Sequence, residues 1–167
     1  MTEPSRPTST VWLTEKTYDR LTGELEDLKG PLRSEIIARI SAARDEGDLK
    51  ENGGYHSAKD EQGKMEGRIR QLEELLRQAT TDPAADDGRV SAGKVVTYRY
   101  EGDEETEQFL LGSRDIDEDE SDVEVFSPQS PLGNALNGAA KGEAVDFEAP
   151  NGRTLKIEIV DAVPYGS

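Results

Sequence analysis

The chain has no cysteine, one tryptophan, one histidine and only 5% aromatic residues. Without thiols it can form no disulfide and offers no thiolate metal ligand, which fits a reducing compartment. His56, the single histidine, has no second nitrogen ligand and makes a poor zinc site, so support of its surroundings is the better reading. There is no apolar run of about 18 residues and no signal-peptide pattern, and a soluble cytoplasmic protein with no membrane partner is expected. Basic charge is scarce as well: 20 Lys and Arg stand against 36 Asp and Glu, a net charge of −16. A phosphate-neutralising DNA binder needs a basic stripe, so specific duplex DNA is not expected as a partner.

What is present is polar and unevenly charged. Hydrophobic residues make up 33% of the 167 and charged residues 34%, which leaves much solvated surface, as on a helical hairpin whose outer faces meet no core. Residues 101–124 hold twelve acids and one Arg, whereas residues 14–79 are nearly balanced, with fifteen acids and twelve bases.

In chain order, residues 1–10 carry two prolines and several hydroxyls and read as a disordered tail. Thr14 is a plausible N-cap. Tyr18, Leu21, Leu25, Leu28 and Leu32 then recur at helical spacing, as do Ile36, Ile40 and Ala43. Pro31 predicts a bend or break near Lys29-Gly30. A second stripe, Tyr55, Ala58, Gln62, Met65, Ile69, Leu72, Leu76 and Ala79, has the three-four alternation of a coiled-coil seam. Two such stripes joined by a Gly-rich turn should pack antiparallel, forming a rod of roughly 45 Å if each helix has about 30 residues.

Past this the period changes. Thr80 to Gly88 has linker composition, and strands are predicted at 95–100, 106–111, 123–126, 144–148 and 153–160, with a hairpin turn at Pro150-Asn151-Gly152. Asp115 to Asp122 reads as an exposed acidic loop. Ser130 and Pro131 cap a short helix that Gly142 should end, with Leu132, Leu136 and Ala139 facing the sheet. The fold class is therefore α+β. An N-terminal antiparallel coiled-coil hairpin over 11–80 is followed by a linker over 81–90 and a small antiparallel sheet with one helix over 91–167.

The hairpin's turn holds Asp45, Glu46, Asp48 and Glu51 among glycines at 47, 53 and 54. Oxygen-rich acidic ends suit hard cations such as magnesium; a solvated acidic turn is the bland alternative.

The run from Arg44 through Gly47-Asp48-Leu49-Lys50-Glu51-Asn52 to Tyr55-His56, continuing to Gln62-Gly63 and Glu66-Gly67-Arg68-Ile69, closely resembles the bacterial Gre transcript-cleavage factors, most like the GreA type. Ser127-Pro128-Gln129-Ser130-Pro131-Leu132-Gly133 and Pro150-Asn151-Gly152 extend the resemblance through the second half. It implies a coiled coil that enters the secondary channel of bacterial RNA polymerase and a C-terminal FKBP-like domain resting on the channel rim. The implied activity is rescue of backtracked complexes: the tip stimulates hydrolysis of the extruded RNA 3′ end by the polymerase's own site. The protein would be no enzyme by itself. The resemblance also implies that Asp48 and Glu51 are the catalytic acids, and that Gln129, Ser130 and Pro131 form the docking loop, although many members carry Asp at the position of Gln129.

Hydrolysis of a phosphodiester by two metal ions gives this pair its chemical rationale. One ion activates water and the other stabilises the leaving oxygen. Asp48 and Glu51, three residues apart, can share one side of a turn and complete the coordination of the weakly held second Mg²⁺, with Glu51 the better placed to orient or deprotonate water. Lys50 is equally a phosphate contact or an offset to its acidic neighbours. Tyr55 either stacks on a base or packs across the hairpin. Lys59, Lys64, Arg68 and Arg70 contact the RNA or form a solvated, ion-paired face. Three functions from different classes remain open: a cleavage-stimulating factor, a channel-occupying inhibitor, and a scaffold or prolyl isomerase. The isomerase rests on fold analogy alone and lacks an aromatic-lined pocket. A monomer is expected.

Overall fold

The computed structural model describes residues 10–46 and 53–166. The chain divides into two compact units: Tyr18–Gln78, and a second that joins the residues up to Thr17 with those from Ala79 onward. The compact helical unit is thus shorter at both ends than the 11–80 segment read as the hairpin. The reason is a pairing too short to predict: β1 (Val11–Trp12) lies parallel to β2 (Ala79–Thr80), and the Leu13 amide donates to the Thr80 carbonyl at 2.9 Å.

Helix α1 (Glu15–Asp27) starts where Thr14 caps it, the Thr17 amide donating to Thr14 Oγ1 at 3.1 Å. Pro31 does not break the helical path. It sits inside a π-helical turn, Leu28–Leu32, that leads directly into α2 (Arg33–Asp45). A proline lacks the amide and crowds the carbonyl four residues back; a turn widened by one residue makes room for the ring while the chain stays helical.

Helix α3 (Gly53–Gln78) returns against α2. Ile36, Ile40 and Ala58 are buried between them, with Tyr55 and Met65 packed alongside, so these residues of the predicted stripes do form the seam. Crosswise ion pairs flank it. Arg33 grips Glu66 with two bonds of 2.9 and 2.8 Å, Arg39 meets Glu61 at 2.7 Å, and Arg68 holds Glu24 at 2.8 and 3.1 Å. Exposed and half-exposed pairs of this kind add little to stability; their main effect is to fix which turns of α1 and α2 face which turns of α3.

The second unit is a five-stranded sheet in the order β5-β4-β3-β7-β6: β3 (Lys94–Tyr100), β4 (Glu107–Leu111), β5 (Val125–Phe126), β6 (Ala144–Glu148) and β7 (Thr154–Pro164). All neighbours are antiparallel except β4 and β5, which run parallel at the edge. The alternation of β3 sends Val96 and Tyr98 inward to join Phe109, Leu111, Phe147, Ile157 and Ile159, and α5 (Pro131–Leu136) contributes Leu136 to the same core. That helix ends well before Gly142, because Asn137 leaves the helical region at ψ 129° and Gly138 turns the chain at φ 88°. Pro150-Asn151-Gly152 forms the expected turn, with Gly152 at φ 85° and its amide donating to the Ala149 carbonyl at 2.9 Å.

Two stretches read as irregular are built into this unit. The acidic segment after β4 contains α4 (Glu118–Ser121), closed by a reciprocal capping box between Asp117 and Glu120 and anchored by buried Ile116. Acids in a first helical turn are favoured by the unpaired amides there, which is how so dense a run of charge becomes ordered. The end of the expected linker is likewise part of the sheet unit. Val90 is 1% exposed, its amide donates to the Ala139 carbonyl at 2.8 Å, and Asp87 forms an ion pair with Lys94. Lys94 occupies an inward position of β3 with its side chain fully buried. A buried ammonium needs partners, and Lys94 Nζ finds them in the Asp87 carboxylate and, at 2.5 Å, the Arg89 carbonyl.

That arrangement predicts an acid sensitivity. The hydrogen bond from Lys94, helped by the Arg89 amide, holds the Asp87 carboxyl below its ordinary value of 3.8. A carboxyl depressed by folding contributes its full stabilisation above the unfolded value and loses it as pH falls through the folded one. Asp87→Asn should therefore melt below the parent at pH 7, and the gap should close as thermal melts are taken from about pH 4 to pH 2.

Candidate functional site

The helices on either side of the acidic stretch are described up to its edges. Helix α2 ends at Asp45, where the Glu46 amide donates to the Ala43 carbonyl at 3.3 Å, and α3 begins at Gly53. Asp48, Lys50 and Glu51 fall between these points and lie outside the described residues. Asp45 and Glu46 are exposed. Among the described residues no group of three or more acids or histidines is gathered as a metal site, so the magnesium assignment rests on Asp48 and Glu51.

The side chains next to the turn separate into two groups. Tyr55 is half-buried against the Ile36/Ile40/Ala58 cluster, with the Arg44 guanidinium 5.8 Å from its ring centre and His56 edge-on at 5.5 Å. Of the two roles open to it, packing across the hairpin is the one this geometry serves. Arg68 is committed to Glu24 and, at 2.8 Å, to Gln71; its hydrogen bond is the first cause of the lowered Glu24 carboxyl. Lys59 and Lys64 are exposed, making light contacts along their own helix with Gln62 at 3.1 Å and Asp60 at 3.6 Å. Arg70 is exposed and makes no ion pair among the described residues. Of the four proposed cations on α3, Lys59, Lys64 and Arg70 are thus the accessible ones.

In the sheet unit, Gln129 and Pro131 are exposed and Ser130 is half-buried. Ser130 is the N-cap of α5 with Pro131 in its first turn: Ser130 Oγ accepts from the Gly133 amide at 3.1 Å and donates to the Ser127 carbonyl at 2.6 Å. The three residues form one tight corner after β5. A separate cleft of about 290 Å³, lined by Trp12, Thr14, Pro83, Glu120 and Tyr165 among others, contains none of the predicted site residues. Tyr98, Phe109 and Phe126 pack on one another at 5.6 and 5.1 Å within the core.

A helical hairpin followed by a helix-covered sheet is the arrangement expected from the Gre resemblance, and comparison with known proteins decides the family. Residues 11–80 match the family model described as transcription elongation factor, N-terminal, and residues 85–164 match that of the transcription elongation factor GreA/GreB C-terminal domain. The chain belongs to the GreA/GreB family. The transcription elongation factor GreA of Streptomyces avermitilis is 51% identical over 167 residues, covering 99% of each chain. That of Saccharopolyspora erythraea is 50% identical over 159 residues, covering 95% of this chain and 97% of its own. The crystal structure of GreA factor homolog 1 of Thermus thermophilus covers 92% of this chain and 99% of its own at 25% identity, with a TM-score of 0.41.

Within this family member, sequence reasoning missed Ser127 and Gly133, which hold the corner around Gln129. The signal was present as a Ser-x-x-Ser-x-x-Gly spacing, legible only once Ser130 is known to bond in both directions along the chain.

Proposed function

We propose that the chain is a transcription elongation factor that acts on bacterial RNA polymerase, entering its secondary channel and stimulating its own Mg²⁺-dependent cleavage of the backtracked RNA 3′ end. The end-to-end similarity to GreA factors carries this reading. It is supported by the position of Gly47-Asp48-Leu49-Lys50-Glu51-Asn52 at the one place where α2 and α3 are joined. A stiff helical pair is the natural carrier for two acids destined for another protein's catalytic centre.

Asp48 and Glu51 would be oxygen ligands, and hard carboxylate donors fit magnesium, which keeps open positions for water and phosphate. When bound, that ion supplies Lewis-acid activation of water. With Asp48 completing the ligand set, Glu51 would also orient the attacking water and accept its proton. Lys59, Lys64 and Arg70 face the RNA phosphates from α3. Gln129, Ser130 and Pro131 form the docking corner. The chain has no RNA cleavage activity by itself under this reading, because it brings one side of a site whose other side is the polymerase.

The deciding experiment uses a purified polymerase halted in a backtracked state, with labelled RNA and fixed magnesium, with and without this protein. Faster shortening of the RNA 3′ end is the expected result. Binding without any gain in cleavage would replace the proposal by that of a channel-occupying inhibitor.

A further inference from the structure

The corner that carries Gln129 and Pro131 is held by hydrogen bonds that leave its central serine facing inward. Ser130 Oγ donates its one hydrogen to the Ser127 carbonyl at 2.6 Å and accepts from the Gly133 amide at 3.1 Å. The Ser130 amide donates to Ser127, at 3.0 Å to the carbonyl and 3.1 Å to the hydroxyl, and the Ser130 carbonyl accepts from the Asn134 amide at 2.8 Å. A serine hydroxyl has a single hydrogen to give, and here the loop itself takes it.

Gly133 completes the device. It is buried, so it offers nothing to a partner. A Cβ there would stand 2.2 Å from the Ser127 carbonyl oxygen, 2.8 Å from Ser130 Oγ and 3.1 Å from Leu111 Cδ1. The carbonyl is backbone and cannot swing aside as a side-chain tip can. Any larger residue therefore opens the corner, even though alanine is otherwise favoured over glycine in a helix.

We infer that Ser127, Ser130 and Gly133 are positioning residues that pre-form the docking corner, and that Gln129 and Pro131 are the side chains it presents to the polymerase. This rests on the docking role proposed above. Within the motif the work is divided, Ser130 shaping the corner while its two neighbours touch the partner. Pre-forming a contact loop strengthens binding by removing the ordering cost from the binding step.

The test combines two measurements on the intact protein. Affinity for RNA polymerase is titrated for Gln129→Ala, Ser130→Ala, Ser130→Thr, Gly133→Ala and the double variant Gln129→Ala/Gly133→Ala. Amide hydrogen exchange at residues 130 and 134 is followed in the free protein. Ser130→Ala and Gly133→Ala should each bind about tenfold more weakly and exchange faster, the cap being lost or displaced. Ser130→Thr keeps both hydrogen bonds and should stay within about twofold of the parent. Because Gly133 acts through Gln129 and Pro131 together, the double variant should lose less than the product of the two single losses.

Unchanged exchange at 130 and 134 in Ser130→Ala and Gly133→Ala would overturn the positioning role, whatever the affinities. So would a Ser130→Thr protein as weak as Ser130→Ala, or fully multiplicative losses in the double variant. Faster exchange with polymerase affinity unchanged throughout, Gln129→Ala included, would leave the corner's architecture standing and overturn the docking role on which the proposal rests.

Discussion

Asp48→Ala and Glu51→Ala should each lower stimulated RNA cleavage by at least about 100-fold, or about 2.7 kcal/mol of barrier, with polymerase binding unchanged. Binding is expected to survive because the corner proposed to dock belongs to the sheet unit and the acids to the stretch between α2 and α3. The two substitutions should differ in how they fail. A lost ligand weakens the hold on magnesium, so raising its concentration should return part of the Asp48→Ala activity by mass action. Glu51→Gln keeps the side chain's shape and one coordinating oxygen but removes the proton acceptor, and its loss should persist at high magnesium. If both alanine proteins bind and stimulate cleavage as the parent does, neither acid has the proposed role.

Much of the architecture was legible because it follows from period. The three-four stripe through Tyr55, Ala58 and Met65 became a helical seam, and the alternation of β3 placed Val96 and Tyr98 inside. What escaped depends on contacts between residues far apart in the chain. Asp87 and Val90 sit in a stretch of small and acidic residues that looks like a linker until Lys94 and Ala139 claim them. The run Asp117-Glu118-Asp119-Glu120 repels itself on paper, yet Glu120 caps its own helix and accepts from the distant Thr17 Oγ1 at 3.0 Å, so hydrogen bonds both local and long-range offset the repulsion. Pro31 was a correct sign of disturbance near Lys29-Gly30, and in place of a break a π turn absorbs what a regular α-helix cannot. For the site, sequence named Gln129, Ser130 and Pro131 together, and their neighbourhood in the fold adds that Ser130 Oγ donates its hydrogen within its own loop.

Removing the indole of Trp12 should destabilise the sheet unit by about 3–5 kcal/mol, the usual cost of truncating a large buried aromatic to alanine. Trp12 is 8% exposed, lies edge-on to Tyr165 at 5.9 Å, and donates from Nε1 to the Asp82 carbonyl at 2.9 Å. Gly93 makes room for the ring, since a Cβ there would lie 2.9 Å from Nε1, whereas a Cβ on Gly112 would meet Ile116 Cδ1 at 2.8 Å before it reached the indole. The ring therefore joins the chain entering α1 to the chain leaving α3 and to the strand ends beyond, a set of contacts no smaller side chain can span. Trp12→Phe should cost less than Trp12→Ala, since it keeps part of the apolar volume and loses the indole hydrogen bond. Gly93→Ala should be destabilising on two counts, the approach to the indole and a backbone held at φ +93°. Urea unfolding followed by far-UV circular dichroism checks all three. A loss below about 1 kcal/mol for Trp12→Ala would mean that the surrounding residues collapse into the space and that the indole does not hold these segments of the sheet unit together.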